Sequence, residues 1–203
     1  TSGRDSAHSY VDRWMNQPPG SYAGAMIGKS DTAFWDAFSP RIYEKGALGL
    51  HMLRAIVGDS TFFDIMRNYS GNPNLRFGNV ETENFVAECE RAFGKNLSWF
   101  FDEWIYSSPD SIDRPGYEFD WHTKRNGGKN IVTVTLSQTT ANKLLFRMPM
   151  TISLVFTKSE MTVPVIDSLA VQSFSFVTDQ EPTDIIIDKS RNVFKTLSRR
   201  EGN

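Results

Sequence analysis

The sequence predicts an α+β chain, with an all-helical N-terminal part followed by a small β-sandwich. Three observations predict it. Up to about residue 110 the apolar residues recur at helical spacing, and beyond it they alternate. Between the two lies 107–115, which holds three serines, two prolines and two aspartates, the composition of a corner or linker. Beyond it, Asn126-Gly127-Gly128-Lys129 reads as a tight hairpin turn. The chain therefore divides into a helical domain over 1–110 and a β-domain over 111–203.

The helices follow in order. Ala7, Tyr10, Val11, Trp14 and Met15 share one face of a helix over 6–16, with Asp5 or Ser6 as N-cap and Pro18-Pro19-Gly20 as its stop. A short helix is expected over 31–38, ending before Ser39-Pro40 because the residue before proline avoids the helical region. The next, over 41–57, puts Tyr43, Ala47, Leu50, Leu53 and Val57 on one face and stops at Gly58. Gly46 and Gly49 lie inside it, each costing about 1 kcal/mol relative to alanine. Close approach of another backbone is the expected compensation. Asp59 is read as the cap of a helix carrying Phe62, Phe63, Met66 and Tyr69. Thr82 is read as the cap of one carrying Phe85, Val86, Cys89 and Phe93. Asn96 is read as the cap of a last helix with Leu97, Phe100, Phe101 and Trp104 inward.

The strands are short. Residues 117–121 alternate and lead into the hairpin; 131–136 continue beyond it and break at 139–142. Residues 144–156 are extended, and Pro149 within them suggests an edge or a bulge. Residues 161–166, 170–177 and 184–187 complete six or seven strands, the pattern of a β-sandwich.

Composition excludes several classes of function. Twenty-two basic against 24 acidic residues leave a net charge of −2, too low for a broadly basic nucleic-acid binder. No apolar run reaches the roughly 18 residues of a membrane-spanning helix. The single cysteine, Cys89, excludes an internal disulfide. It lies on an apolar helix face, where inert packing outweighs a nucleophilic role. Zinc needs about three protein ligands, and His8, His51 and His122 each stand alone in their segments with no HExxH. No metal site is therefore expected within this chain. The neighbouring carboxylates, such as Asp102 and Glu103, point to different sides of their helices and read as solvated surface.

Tyr43 remains. It opens a helix just after a proline, in Ile42-Tyr43-Glu44-Lys45-Gly46-Ala47. On these residues alone, buried packing is its first reading. A phenol projecting into a cleft, able to donate to a developing oxyanion, is its second.

Longer strings carry a resemblance. Tyr43-Glu44-Lys45-Gly46-Ala47, then Met52-Leu53-Arg54, then Gly58-Asp59 with Phe62 or Phe63, resemble the segment downstream of the zinc site in M1-family (gluzincin) aminopeptidases. Tyr69, Thr82 through Phe85, Gly94-Lys95-Asn96-Leu97 and Phe100-Phe101-Asp102-Glu103-Trp104 continue the likeness in order. Val134 through Gln138, Phe146-Arg147-Met148-Pro149 and Ile187-Asp188 resemble the β-domain that follows.

The resemblance implies that residues 1–110 are the C-terminal part of a thermolysin-like catalytic domain. It implies a peptide substrate, and a zinc held by HExxH and a further glutamate. None of these ligands is present here, and neither is the exopeptidase G-x-M-E-N motif. It places Tyr43 where the family has its oxyanion-stabilising tyrosine. The chain then reads as part of an M1-like zinc metallopeptidase. Its partner is the upstream part of the same polypeptide, its zinc is bound outside this chain, and it has no activity alone. It also implies that upstream helices cover part of the helix bearing Gly46 and Gly49. The alternative is a non-catalytic relative serving as a scaffold for protein–protein interaction.

Overall fold

The computed structural model describes residues 2–26, 38–106, 114–140 and 144–200, with side chains from Ser9 onward. The chain divides into two compact units, Thr1–Asp113 and Arg114–Asn203. The first is helical and the second is built of strands.

The helical unit opens with α1, Ser2–Met15. It starts four residues before the expected 6–16, because the apolar face marks where packing begins and not where the backbone begins to coil. The short helix expected over 31–38 lies outside the described residues but for Phe38. Helix α2, Pro40–Val57, takes Pro40 in its first turn, where the missing N–H costs nothing. It ends on Gly58, whose φ of +83° suits glycine and whose N–H bonds Arg54 O.

Helix α3, Asp59–Gly71, follows at once. Asp59 does not cap it. Its two carboxylate oxygens accept from Arg54 Nε and Nη2 at 2.8 and 2.7 Å, and that guanidinium holds its pKa below the usual range. Helix α4, Thr82–Phe93, is capped by Glu81 in place of Thr82, with Glu81 N donating to Asn84 Oδ1 at 2.9 Å.

The last helix is broken in two. Helix α5, Ser98–Phe101, passes into a π-turn, Asp102–Tyr106, and Asn96 Oδ1 accepts from Ser98 N at 3.2 Å. Leu97, Phe100, Phe101 and Trp104 are buried, as their spacing predicts. Aromatic rings then run through the core at edge-to-face angles: Tyr69 to Phe85 at 5.1 Å, Phe85 to Phe101 at 6.3 Å, Phe101 to Phe100 at 5.4 Å.

The β-unit holds two sheets. One has the order β5-β2-β1-β7, the other β4-β3-β6. Strands β1, Gly116–Asn126, and β2, Lys129–Gln138, are joined by Gly127 and Gly128 at φ +55° and +85°, the two positive values a tight hairpin demands. Strand β3, Met148–Val155, pairs along its length with β4, Glu160–Asp167. It is the central strand of its sheet and not an edge, which corrects the reading of Pro149. β6, Asp184–Ile187, pairs only with Ile152 through Val155, so at Pro149 one side of β3 has no strand to receive an N–H. β5, Val171–Thr178, lies beside β2. The seventh strand, β7, Thr196–Arg199, runs parallel to β1 and is exposed throughout, so no alternation announces it. The inward faces of both sheets supply the core, with Val132, Val134 and Leu136 from one and Met150, Ile152 and Leu154 from the other all buried.

Two buried carboxylates lie in this unit. Asp188, at φ +52°, accepts from the backbone N–H of Asn192 and Val193 at 3.0 Å each and pairs with the buried ammonium of Lys195. Burial holds the Lys195 pKa below the ordinary lysine range. Asp167, fully buried at the end of β4, accepts from Gln138 Nε2 at 2.7 Å. Burial raises its pKa, against the opposing bonds to Gln138 and Tyr117. A carboxyl raised in the fold keeps its proton longer than in the unfolded chain, so stability declines as pH climbs from the ordinary 3.8 toward the raised value. Asp167→Asn, which keeps an acceptor for Gln138, is therefore expected to raise Tm at pH 7.5. The gain should vanish below about pH 3, where the wild-type carboxyl is protonated in both states. Thermal melts of both proteins across that range check it; a gain that persists at low pH would show another cause.

Candidate functional site

Helix α2 presents two apolar stripes. Leu48, Met52, Leu53 and Val57 point inward with Lys45 and Gly49, and are buried. Tyr43, Ala47 and Leu50 form the second stripe; the single face expected from the spacing also held Leu53 and Val57, which the structure buries with the first stripe. The second stripe borders a groove of about 470 Å³ within the helical unit. Tyr43 is 59% exposed at one end of it and Leu50 37%. Across from them stand Phe85 of α4, Phe100 and Phe101 of α5, and Ile105 of the π-turn. Met26, from the segment before α2, closes the remaining side. The ring of Tyr43 is thus not sealed in the core; its first reading from the residues alone, buried packing, does not hold.

The glycines of α2 face this groove, and among the described residues what approaches them is not a backbone. A Cβ at Gly46 would stand 3.2 Å from the Met26 Cε, and one at Gly49 would stand 3.8 Å from Ile105 Cδ1. Side-chain tips fill both notches. The expectation of a close backbone therefore gives way to packing by two flexible aliphatic side chains, one tight and one at ordinary contact distance.

The residues after Tyr43 reach back to the segment before the helix. Buried Tyr22 donates its O–H to Glu44 Oε2. Lys45, only 2% exposed, donates from Nζ to Gly24 O at 2.9 Å. Met26 N donates to Ile105 O at 3.1 Å, tying the same segment to the π-turn. Gly24 itself has φ +96°, a conformation that calls for glycine, and the tip of the Arg41 side chain lies beside it. These ties leave no local pattern to read, because Tyr22 and Gly24 lie about twenty positions from the groups they meet.

The other candidates scatter. His51 is on α2 and His122 on β1, while the side chain of His8 is outside the described residues. Among the described residues no three His, Cys, Asp or Glu side chains come together as a metal site. The donors present do not fit a zinc ion. Cys89 is buried, and desolvation, reinforced by Glu88 and Glu90, pushes its thiol up to about 12. A thiol so held is a poor nucleophile. Ellman's reagent is expected to leave Cys89 untouched in the native protein and to titrate one thiol after denaturation; rapid native labelling would contradict its burial.

The helix that opens on Tyr43 and most of the groove's lining fall within a stretch with known counterparts. Residues 24–104 match the Peptidase family M1 domain. The match covers most of the helical unit and less than half of the chain. No curated protein matches the chain. Among solved structures, the crystal structure of Legionella pneumophila aminopeptidase A in complex with aspartic acid is similar to it. The TM-score is 0.69 with 16% identity, covering 90% of this chain. At that identity the likeness is one of fold, and it extends through both the helical unit and the β-unit. The chain spans about a fifth of that aminopeptidase, 21% of its length.

Proposed function

We propose that this chain belongs to a longer M1-type zinc peptidase that hydrolyses peptide bonds, and that Tyr43 is its oxyanion-stabilising donor. The observation that carries the reading is the position of Tyr43. It stands at the head of α2, inside the family match, exposed and beside an open groove. Zinc and its ligands belong, in this reading, to sequence outside this chain, since this chain carries no HExxH. The chemistry assigned to these residues is limited and concrete. As the attacked carbonyl becomes tetrahedral, its oxygen gains charge, and a phenol O–H fixed nearby stabilises that charge more than it stabilises the ground-state carbonyl. The upstream polypeptide and a peptide substrate are the partners this requires, and the chain by itself is expected to hydrolyse nothing.

The test is Tyr43→Phe in the longer polypeptide, with kcat measured on peptide substrates and metal content as the control. Unchanged turnover would remove the assigned role.

A further inference from the structure

The four residues Tyr43-Glu44-Lys45-Gly46 do not share one task. Successive helical residues point about 100° apart, so Tyr43 and Lys45 face nearly opposite ways. Tyr43 looks into the groove, and Lys45 into the packed side of α2. The three residues after the tyrosine all engage the segment 22–26. Glu44 accepts from Tyr22, Lys45 donates to Gly24 O, and Gly46 leaves the space that Met26 Cε occupies. That segment ends in Met26, which lines the same groove as Tyr43.

The buried ammonium of Lys45 bonds a loop carbonyl, which an apolar residue of the same size would leave without that donor. What the lysine supplies is a fixed point: a tether of one length and direction between the helix carrying Tyr43 and the segment that walls the groove.

We propose that Lys45 is a positioning residue, acting through the Gly24 carbonyl to hold Met26 as the groove wall beside Tyr43, with Glu44 as the second tie through Tyr22. Its functional part rests on the peptidase reading above; the tether itself does not. Lys45 touches no substrate in this assignment. It sets the shape of the groove, and therefore how well an apolar portion of a bound peptide fits against Met26. A wall that contacts substrate equally before and during reaction governs KM, whereas the phenol of Tyr43 governs kcat.

Two measurements on Lys45→Met and Lys45→Arg test this. Amide exchange on this chain reads the tether: Lys45→Met is expected to speed exchange of the Met26 amide by about tenfold and Lys45→Arg to hold it near wild type. Turnover in the longer polypeptide reads positioning: Lys45→Met is expected to raise KM about fivefold with kcat within about twofold, and Lys45→Arg to restore KM. Unchanged exchange in Lys45→Met overturns the tether. Faster exchange with KM unmoved overturns the positioning role and leaves an ordinary structural lysine. If the unaltered polypeptide turns over no peptide, the peptidase reading and the positioning role both fall, while exchange still decides the tether. Should Lys45→Met not fold, Tyr22→Phe loosens the same segment from its other tie, and the same pair of readouts applies.

Discussion

Replacing Tyr43 by phenylalanine in the longer polypeptide is expected to lower kcat by about 10²–10³-fold, roughly 3–4 kcal/mol of transition-state stabilisation. The change deletes one oxygen and keeps the ring. The ring is 59% exposed, so little packing depends on that oxygen and the fold should be indifferent to it. Tm and metal content should therefore match the wild type, and the loss should sit in kcat with KM little changed. Such a split separates a lost donor from a damaged protein. A fall in Tm alongside activity would assign the effect to structure, and full activity would leave the exposed phenol without a catalytic part. Read beside the lysine variants, the two substitutions should act on different kinetic constants although only one residue separates them in sequence.

The second large effect is expected far from the groove. Asp188→Ala should destabilise the β-unit by about 3–5 kcal/mol, as removing one partner of a buried pair does. Three losses coincide. The Lys195 side chain, 7% exposed, keeps its charge with no partner there, and the N–H groups of Asn192 and Val193 lose their acceptors. Alanine must also hold φ +52°, a region that aspartate and asparagine tolerate better. Asp188→Asn separates these terms. It tolerates the backbone and keeps one acceptor oxygen but drops the charge, so its cost should be clearly smaller. Urea unfolding followed by tryptophan fluorescence measures both, with Trp121 as the reporter in this unit. Equal costs for the two variants would place the whole effect in the lost ion pair.

Much of the architecture was legible, for identifiable reasons. The Asn126-Gly127-Gly128-Lys129 turn has one favoured geometry, and it sets the pairing of β1 with β2 residue by residue. Phe100, Phe101 and Trp104 declared their inward side by spacing, although the backbone beneath them changes from an α-helix to a π-turn. What escaped was fixed by partners distant in sequence. Asp59 has the chemistry of a cap, but Arg54 takes both its oxygens. Thr82 has it too, but Glu81 and Asn84 form the cap between them. β7 is exposed on both faces and follows from where the loop around Asp188 delivers the chain. At the candidate site, Tyr43 stood out because its string of neighbours is distinctive. The roles of Glu44, Lys45 and Gly46 did not, since each answers to a segment about twenty positions earlier.

Gly58 has a wider consequence. It is the single residue between α2 and α3, closing one and opening the other, so the two rods are geared together. One residue inserted at this joint would turn α3 by about 100° about its own axis and swing Phe62 and Ile65 away from the interior. Evolution at this elbow is thereby confined to changes of residue type, while length variation must be absorbed by the looser connection after Gly71.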